Sequence, residues 1–132
     1  MGQEIDLLIN YPKAKRNVEA RGQEKTEEDR AIARKFGKEF FDGDRSHGYG
    51  GFDYNARFWS PVVPTFQKYF SLTSESSLLD VGCAKGFMLY DIAQSIPGIN
   101  LKGVDVSEYA ITNAIEGVQK NVQLADARKL PF

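Results

Sequence analysis

The chain has 132 residues, which is enough for one domain with a single core. Its 17 basic and 18 acidic residues nearly cancel, so bulk charge gives no reason to expect a nucleic-acid or membrane partner. The single cysteine excludes an internal disulfide framework, and no apolar run approaches membrane-spanning length. With no recognisable export signal, we expect a cytoplasmic protein.

The N-terminal part divides into an arm and a helical region. Residues 1–25 are polar and mixed in charge, with a small basic cluster at Lys13, Lys15 and Arg16, and they predict an arm with little structure of its own. Residues 26–76 are richer in apolar and aromatic side chains. Their spacing predicts a helix over 26–41, and a short helix is expected near two prolines further on, Pro61 and Pro64.

Between these helices, residues 42–56 form a loop rich in glycine and aromatic residues. Asp42 and Asp44 weakly resemble the start of a calcium loop, but His47 stands where that loop needs glycine, and the bidentate glutamate is missing. His47 is also the only histidine, so we expect no metal site. The aromatic cluster of this loop either covers a ligand or pins the loop to the domain: Tyr49, Phe52 and Tyr54.

The most informative stretch runs from residue 77 to residue 89. An apolar run predicts a buried strand over its first five residues, and Leu89 opens a helical pattern that continues to Ile96. Between strand and helix lie three small residues that allow a sharp turn and a close approach by a ligand: Gly82, Ala84 and Gly86. A strand, a small-residue loop and a helix are how open α/β sheets hold nucleotide-like cofactors.

Two further strands follow, predicted over 100–106 and 121–125, and the helix between them opens at Ser107 and runs to Val118. Short strand–helix–strand connections imply parallel strands. We expect the spatial order third, second, first, with both crossover helices on one face. The fold class is therefore α/β, with a parallel sheet that follows an N-terminal helical extension.

An acid lies in or at the end of each predicted strand, so Asp80, Asp105 and Asp126 should meet at one edge of the sheet. Asp105 stands where an acid can accept hydrogen bonds from both hydroxyls of a ribose. The dinucleotide pattern G-x-G-x-x-G would need a small residue at Phe87, and phenylalanine does not fit close helix–strand packing. The spacing G-x-G-x-G fits with one substitution, Ala84, and suits a smaller cofactor.

At this point the chain resembles the class I S-adenosylmethionine-dependent methyltransferases of the small-molecule type. The resemblance covers about 77–132 and rests on three stretches in order, namely Leu78 to Gly86, Gly103 to Ser107, and Ala125 to Ala127 with Leu130-Pro131-Phe132 after it.

The resemblance implies a role for each matching position. Asp105 would hold the ribose, Val106 would pack on the adenine, Asp126 would accept a hydrogen bond from the adenine amino group, and the Ala127 N–H would donate to the ring. Contacts with the methionyl part would come from the loop and the residue before it: Asp80, Gly82, Cys83, Ala84 and Gly86. The family usually has glycine at position 84.

The resemblance implies methyl transfer from S-adenosylmethionine to a small-molecule acceptor, but it supplies no catalytic base. Clustering alone makes four residues of the N-terminal region candidates for the cofactor or substrate mouth: His47, Tyr49, Tyr54 and Arg57. Two alternatives stay open. One is an NAD(P)-dependent oxidoreductase, and the other is a non-catalytic, methyltransferase-like binding module.

The family fold also implies a larger, Rossmann-like doubly wound parallel sheet with helices on both faces, here truncated after the third strand. Only three strands are predicted here, so the first strand would have an unpaired edge and one sheet face would lack helices. Exposed strand edges pair readily with other chains. We therefore expect a fragment of a longer chain, or a chain that self-associates through this edge.

Overall fold

The computed structural model describes residues 2–13 and 25–132. Short 3-10 turns at Arg45–His47 and Gln119–Asn121 supplement the main elements. In chain order these elements are α1 (Glu27–Ala33), α2 (Lys38–Asp42), α3 (Ala56–Trp59), α4 (Val63–Phe70), β1 (Ser77–Val81), α5 (Phe87–Ser95), β2 (Asn100–Asp105), α6 (Glu108–Thr112) and β3 (Val122–Leu124).

The strands form one parallel sheet in the order β1-β2-β3, which confirms the predicted order. Asp80 of β1 lies beside Gly103 of β2, and Asp105 at the end of β2 lies beside Leu124 of β3. The carboxyl ends of the strands therefore share one edge, as the sequence predicted. Helices precede the first strand, so the N-terminal helical extension is also confirmed.

The core lies on one face of the sheet, beneath α5. Leu89 and Ile92 of that helix are fully buried and belong to a cluster with Leu101 of β2 and with Val118. The packing is tight at Gly103, where an added Cβ would stand 2.7 Å from the Leu89 Cδ1 atom. A side chain at this position would thus separate α5 from the sheet.

The opposite face of the sheet is largely bare. Leu79 and Val81 of β1 are 40% and 47% exposed, and Leu124 of β3 is 54% exposed. The prediction that β1 is buried is therefore wrong for the side chains on this bare face. Within the described residues, the crossover helices cover only the opposite face of the sheet. In the same residues β1 pairs only with β2, so its outer edge is open.

The predicted single helix over 26–41 is two helices. Thr26 caps α1, since its side chain accepts from the Asp29 N–H and the Asp29 side chain accepts from the Thr26 N–H. The chain then turns at Phe36, which has a φ of +50°, and Gly37 caps α2. At this turn the Phe36 carbonyl accepts a hydrogen bond from the hydroxyl of Ser107, the residue that caps α6. Tertiary contact at this point outweighs the helical pattern of the sequence.

The helix predicted from Ser107 to Val118 ends early, at Thr112. The Asn113 side chain donates to the Tyr109 carbonyl, and Gly117 has a φ of +105°, so neither residue favours a continued helix. The Ile115 N–H instead donates to the Lys85 carbonyl at 2.9 Å. This backbone hydrogen bond joins the chain after α6 to the loop that follows β1.

The described part of the predicted arm, residues 2–13, contains no helix or strand, but it contacts the domain. The Tyr11 ring lies 5.7 Å from the Phe58 ring and 5.0 Å from the Trp59 ring. Two members of the basic cluster, Lys15 and Arg16, lie outside the described residues. The helix predicted near the prolines is present as α4, with Pro64 in its first turn.

Candidate cofactor site

The loop from Gly82 to Gly86 leaves the end of β1 in a tight turn. The N–H groups of Gly82 and Cys83 both donate to the Val104 carbonyl, at 2.7 and 2.9 Å, which fastens the loop to β2. Gly82, Ala84 and Gly86 have φ angles of +85°, +51° and +81°. Left-handed backbone is costly for residues with a Cβ, which explains the two glycines, whereas Ala84 adopts this backbone despite its Cβ.

The two glycines of this loop serve different purposes. At Gly86 an added Cβ would come within 2.8 Å of the Val118 Cγ2 atom, so glycine permits packing against the core. At Gly82 an added Cβ would meet no atom within 4 Å. The backbone at Gly82 thus faces open space at the carboxyl edge of the sheet, where a ligand can approach it closely.

Asp105 joins the loop to the end of β2. One carboxylate oxygen accepts from the Ala84 N–H at 2.8 Å, and the other accepts from the Ser107 N–H at 2.9 Å. Each oxygen keeps a second acceptor position. The predicted ribose contact therefore stays a prediction, and the carboxylate also has a structural task that the sequence did not reveal.

Asp80 lies beneath the loop in a partly buried position. Burial raises the pKa of its carboxyl, and the negative charge of Asp105 raises it further. The two neighbouring carboxylates therefore form an electronegative edge at the ends of β1 and β2. A positively charged group of a ligand would relieve this repulsion.

Cys83 faces the core. Its side chain is 6% exposed and lies against Gly103, and burial raises the pKa of the thiol to about 12. The thiol is therefore protonated, and Cys83 is a small residue packed in the core. Only its backbone lies in the loop, so any cofactor contact would come from main-chain atoms.

The predicted adenine contacts lie near the end of β3. Val106 is 53% exposed, and Ala127 is exposed. The Ala125 N–H donates to the Asp105 carbonyl at 3.0 Å, which keeps this segment beside β2. The Asp126 carboxylate accepts from the Arg128 guanidinium at 2.6 Å, and this side-chain hydrogen bond lowers its pKa to about 2. The adenine roles themselves remain predictions.

Lys85 is a site residue that the sequence reasoning missed. Although it lies within the loop, its side chain is buried, and the ammonium donates to the Asp42 carboxylate and to the Phe52 carbonyl, both at 2.8 Å. The same carboxylate accepts from the Tyr109 hydroxyl and from the Phe52 N–H. A lysine between small residues gives no sequence signal for a partner 43 positions away.

These contacts define a clamp, which consists of Asp42, Phe52, Lys85 and Tyr109. Burial alone would raise the pKa of Asp42, but hydrogen bonds from Lys85, Tyr109 and the Phe52 N–H, with the lysine charge, hold it at about 2. The clamp fastens the glycine- and aromatic-rich loop to the loop after β1. It also places the Phe52 ring 4.8 Å from the Phe87 ring in a stacked arrangement.

The four candidates for the mouth of the site are not brought together. The His47 Nε2 atom lies 3.1 Å from the Asp29 carboxylate, and the Arg57 guanidinium lies over the Phe58 ring. The Tyr54 hydroxyl donates to the Asp91 carboxylate on α5. Only Tyr49 lines a cavity that also touches Phe87, the first residue of α5.

Within the described ranges, no group of three or more metal-ligating side chains could hold a metal ion. The side chains that resembled a calcium loop have other tasks, since Asp42 pairs with Lys85 and Asp44 caps the turn at Ser46. None of the helices in these ranges has the length and apolar character needed to cross a membrane.

Comparison with known proteins adds independent information. Residues 79–132 match the family model described as a methyltransferase domain. Among solved structures, the chain is similar to the MccD protein, with 28% identity and a TM-score of 0.47 over 53% of this chain and 33% of that one. It is also similar to YjhP from E. coli, with 25% identity and a TM-score of 0.38 over 48% of this chain and 27% of that one. Comparison with curated proteins found no match.

Residues 79–132, which include both the loop and Asp105, are therefore similar to a methyltransferase domain. This matched segment contains the whole sheet except the first two residues of β1. The family model therefore matches the part of the chain that forms the parallel sheet. The aligned part of the chain spans about a third of the MccD protein and about a quarter of YjhP.

Proposed function

We propose that residues 77–132 bind S-adenosylmethionine and that the protein transfers its methyl group to a small-molecule acceptor. The observation that carries the proposal is the open backbone at Gly82 beside the two carboxylates of Asp80 and Asp105, within the segment that matches the methyltransferase family. Because the Cβ position at Gly82 is open, a cofactor can lie against the main chain.

S-adenosylmethionine, when bound, supplies a methyl sulfonium whose methyl group passes to a nucleophilic atom of the acceptor, leaving S-adenosylhomocysteine while the acceptor loses a proton. The residues of this chain orient and bind. Asp105 has the acceptor positions for ribose hydroxyls, and the electronegative edge that it forms with Asp80 favours a cationic ligand. The described residues supply no group for which we propose a role as catalytic base.

Titration calorimetry with S-adenosylhomocysteine tests the proposal. Asp80→Asn keeps the shape of the side chain but removes its charge, so we expect the affinity to fall about tenfold, equivalent to about 1.4 kcal/mol. The matched control Glu116→Gln removes one exposed charge from the turn after α6 and should leave the affinity unchanged. Binding of NADH in place of S-adenosylhomocysteine would favour the oxidoreductase. A folded chain that binds neither compound would contradict the proposal and favour the non-catalytic module.

The open edge of β1, the balanced charge and the single cysteine support proposals about binding partners and cellular compartment. We propose self-association through the open edge of β1, supported by the exposed Leu79 and Val81 side chains on the same strand. Sedimentation of the purified chain should then give a dimer or larger species, and a stable monomer would contradict this. The balanced charge supports neither a nucleic-acid nor a membrane partner, and the single reduced cysteine is consistent with a cytoplasmic protein.

A further inference from the structure

A cavity of about 260 Å³ lies between the N-terminal arm, the aromatic loop and α5. Its wall is predominantly aromatic. Aromatic cavities of this kind bind flat apolar ligands because they bury large areas of ring surface. Six rings line it: Tyr11, Tyr49, Phe52, Phe58, Trp59 and Phe87.

The wall is held in place before any ligand arrives. The Phe52 ring lies 4.4 Å from the Tyr49 ring and 4.8 Å from the Phe87 ring. The main chain of Phe52 is fixed at both of its polar groups, since its N–H donates to Asp42 and its carbonyl accepts from Lys85. A preformed wall reduces the conformational entropy that the protein loses when a ligand binds.

The position of the cavity connects it to the proposed cofactor site. Phe87 is the first residue of α5 and directly follows Gly86, the last small residue of the loop after β1. Lys85 of the same loop fixes Phe52 on the facing wall. A ring bound in the cavity would thus lie beside the loop to which we assign the methyl donor.

The charges around the cavity select among aromatic ligands. The Arg45 guanidinium lines the wall and donates to the carbonyls of Gly48 and Tyr49 at 3.0 and 3.4 Å. Its positive charge offsets the negative charge of Asp53, which also lines the cavity, so the wall has no net charge that would add to the attraction of aromatic rings for a cation. The Asp53 carboxylate also lines the cavity, and within the described part of the chain it makes no hydrogen bond or ion pair. It can therefore accept a hydrogen bond from a ligand hydroxyl.

We propose that this cavity is the acceptor pocket and that it takes a flat, uncharged aromatic ring whose hydroxyl donates to Asp53. The inference rests on the proposed function, because it assigns the methyl acceptor of that reaction. The aromatic wall supplies the binding energy, the opposite charges of Arg45 and Asp53 leave no net charge to attract a cation, and Asp53 orients the hydroxyl.

The test uses the full chain and the only tryptophan of the sequence, Trp59, which lines the cavity. Its single indole N–H resonance in a ¹H–¹⁵N spectrum needs no assignment. We expect 2-naphthol to shift this resonance saturably, and decahydro-2-naphthol, which has the hydroxyl but no aromatic face, to leave it unshifted. Phe52→Leu removes one ring and keeps the backbone clamp, so the affinity for 2-naphthol should fall about three- to tenfold. The control Phe70→Leu changes an exposed ring outside the cavity and should have no effect.

Three results would overturn the inference: an equal shift with decahydro-2-naphthol, tighter binding of benzyltrimethylammonium than of 2-naphthol, or no shift with 2-naphthol. Titration with S-adenosylhomocysteine on the same samples separates this failure from that of the proposed function. If S-adenosylhomocysteine binds and 2-naphthol does not, the acceptor pocket is wrong and the cofactor site stands. If 2-naphthol binds and S-adenosylhomocysteine does not, the acceptor role is overturned together with the proposed function.

Discussion

Asp42 and Asp126 have the same pKa, about 2, but they lie in different surroundings. The side chains of Asp42 and its partner Lys85 are 23% and 9% exposed, whereas those of Asp126 and its partner Arg128 are 40% and 90% exposed. Removing a partner from the first pair leaves a charge away from water, but water replaces a lost partner in the second. A shifted pKa therefore does not by itself report what a pair contributes to the fold.

The two pairs also differ in what they connect. Asp42 and Lys85 are 43 positions apart and join the N-terminal region to the loop after β1. Asp126 and Arg128 are two positions apart and stabilise a local turn. Only the first pair positions one part of the proposed site against another, so its loss should affect both stability and ligand binding.

The largest effect is expected for Asp42→Ala. The variant leaves the Lys85 ammonium buried with the Phe52 carbonyl as its remaining partner, so the free energy of unfolding should fall by about 2–3 kcal/mol. Urea denaturation measures this change. Affinity for S-adenosylhomocysteine should fall as well, because the loop from Gly82 to Gly86 loses its outer support.

The double variant Asp42→Ala with Lys85→Met distinguishes two causes of lost stability, namely an unpaired buried ammonium group and lost side-chain packing. Methionine keeps the apolar stem and removes the ammonium, so the double variant should be more stable than Asp42→Ala alone. A double variant that is less stable than Asp42→Ala would show that Lys85 contributes through contacts other than the ion pair.

The next largest effect is expected in how the stability contributed by the Asp42–Lys85 pair depends on pH. The folded state holds the pKa of Asp42 below its ordinary value of 3.8, at about 2, so its stabilising effect is complete above the unfolded pKa. That effect is lost as the pH falls from about 4 through about 2. The difference in unfolding free energy between the native chain and Asp42→Asn should therefore shrink over this range. A difference that stays constant down to pH 2 would contradict the assigned role of the ion pair.

How far the sequence could predict this molecule depends on whether the interaction is local or distant. The strand order and the small-residue loop at Gly82 follow from local patterns, and the structure agrees with them. The clamp at Lys85 does not, because it needs the tertiary position of a loop that has no periodic pattern. The same reason explains the break at Phe36, where a contact with Ser107 outweighs helical periodicity.

A third aspartate differs from both Asp42 and Asp126 because, within the described residues, it is buried without a basic partner. Asp91 is 4% exposed, and within the described residues its Oδ2 atom has no hydrogen bond while Tyr54 donates to its Oδ1 atom. Burial raises the pKa of Asp91, so ionisation costs stability as the pH rises above 3.8 and through the folded-state value. Asp91→Asn removes that charge, and we expect it to stabilise the fold by about 1 kcal/mol at pH 7.

The control for this prediction is Tyr54→Phe, which removes the donor and leaves both Asp91 oxygens without a protein partner. This variant should lower the unfolding free energy at neutral pH. If Asp91→Asn is instead destabilising at pH 7 and equal to the native chain at pH 4, the carboxylate must have a favourable charged partner in solution.

The smallest effect on stability is expected for Asp126→Ala. Because this carboxylate and Arg128 are exposed and form only a local turn, the urea midpoint should not change measurably.

Binding of S-adenosylhomocysteine should respond differently to the same substitution, since Asp126 is the predicted acceptor for the adenine amino group. We expect the affinity to fall several-fold, with Arg128→Ala as the matched control because it breaks the same pair and keeps the carboxylate. Equal losses in both variants would mean that the turn, and not the Asp126 carboxylate, supports the adenine. A loss confined to Asp126→Ala would mean that the exposed pair serves ligand binding, whereas the buried pair at Asp42 serves the fold that makes binding possible.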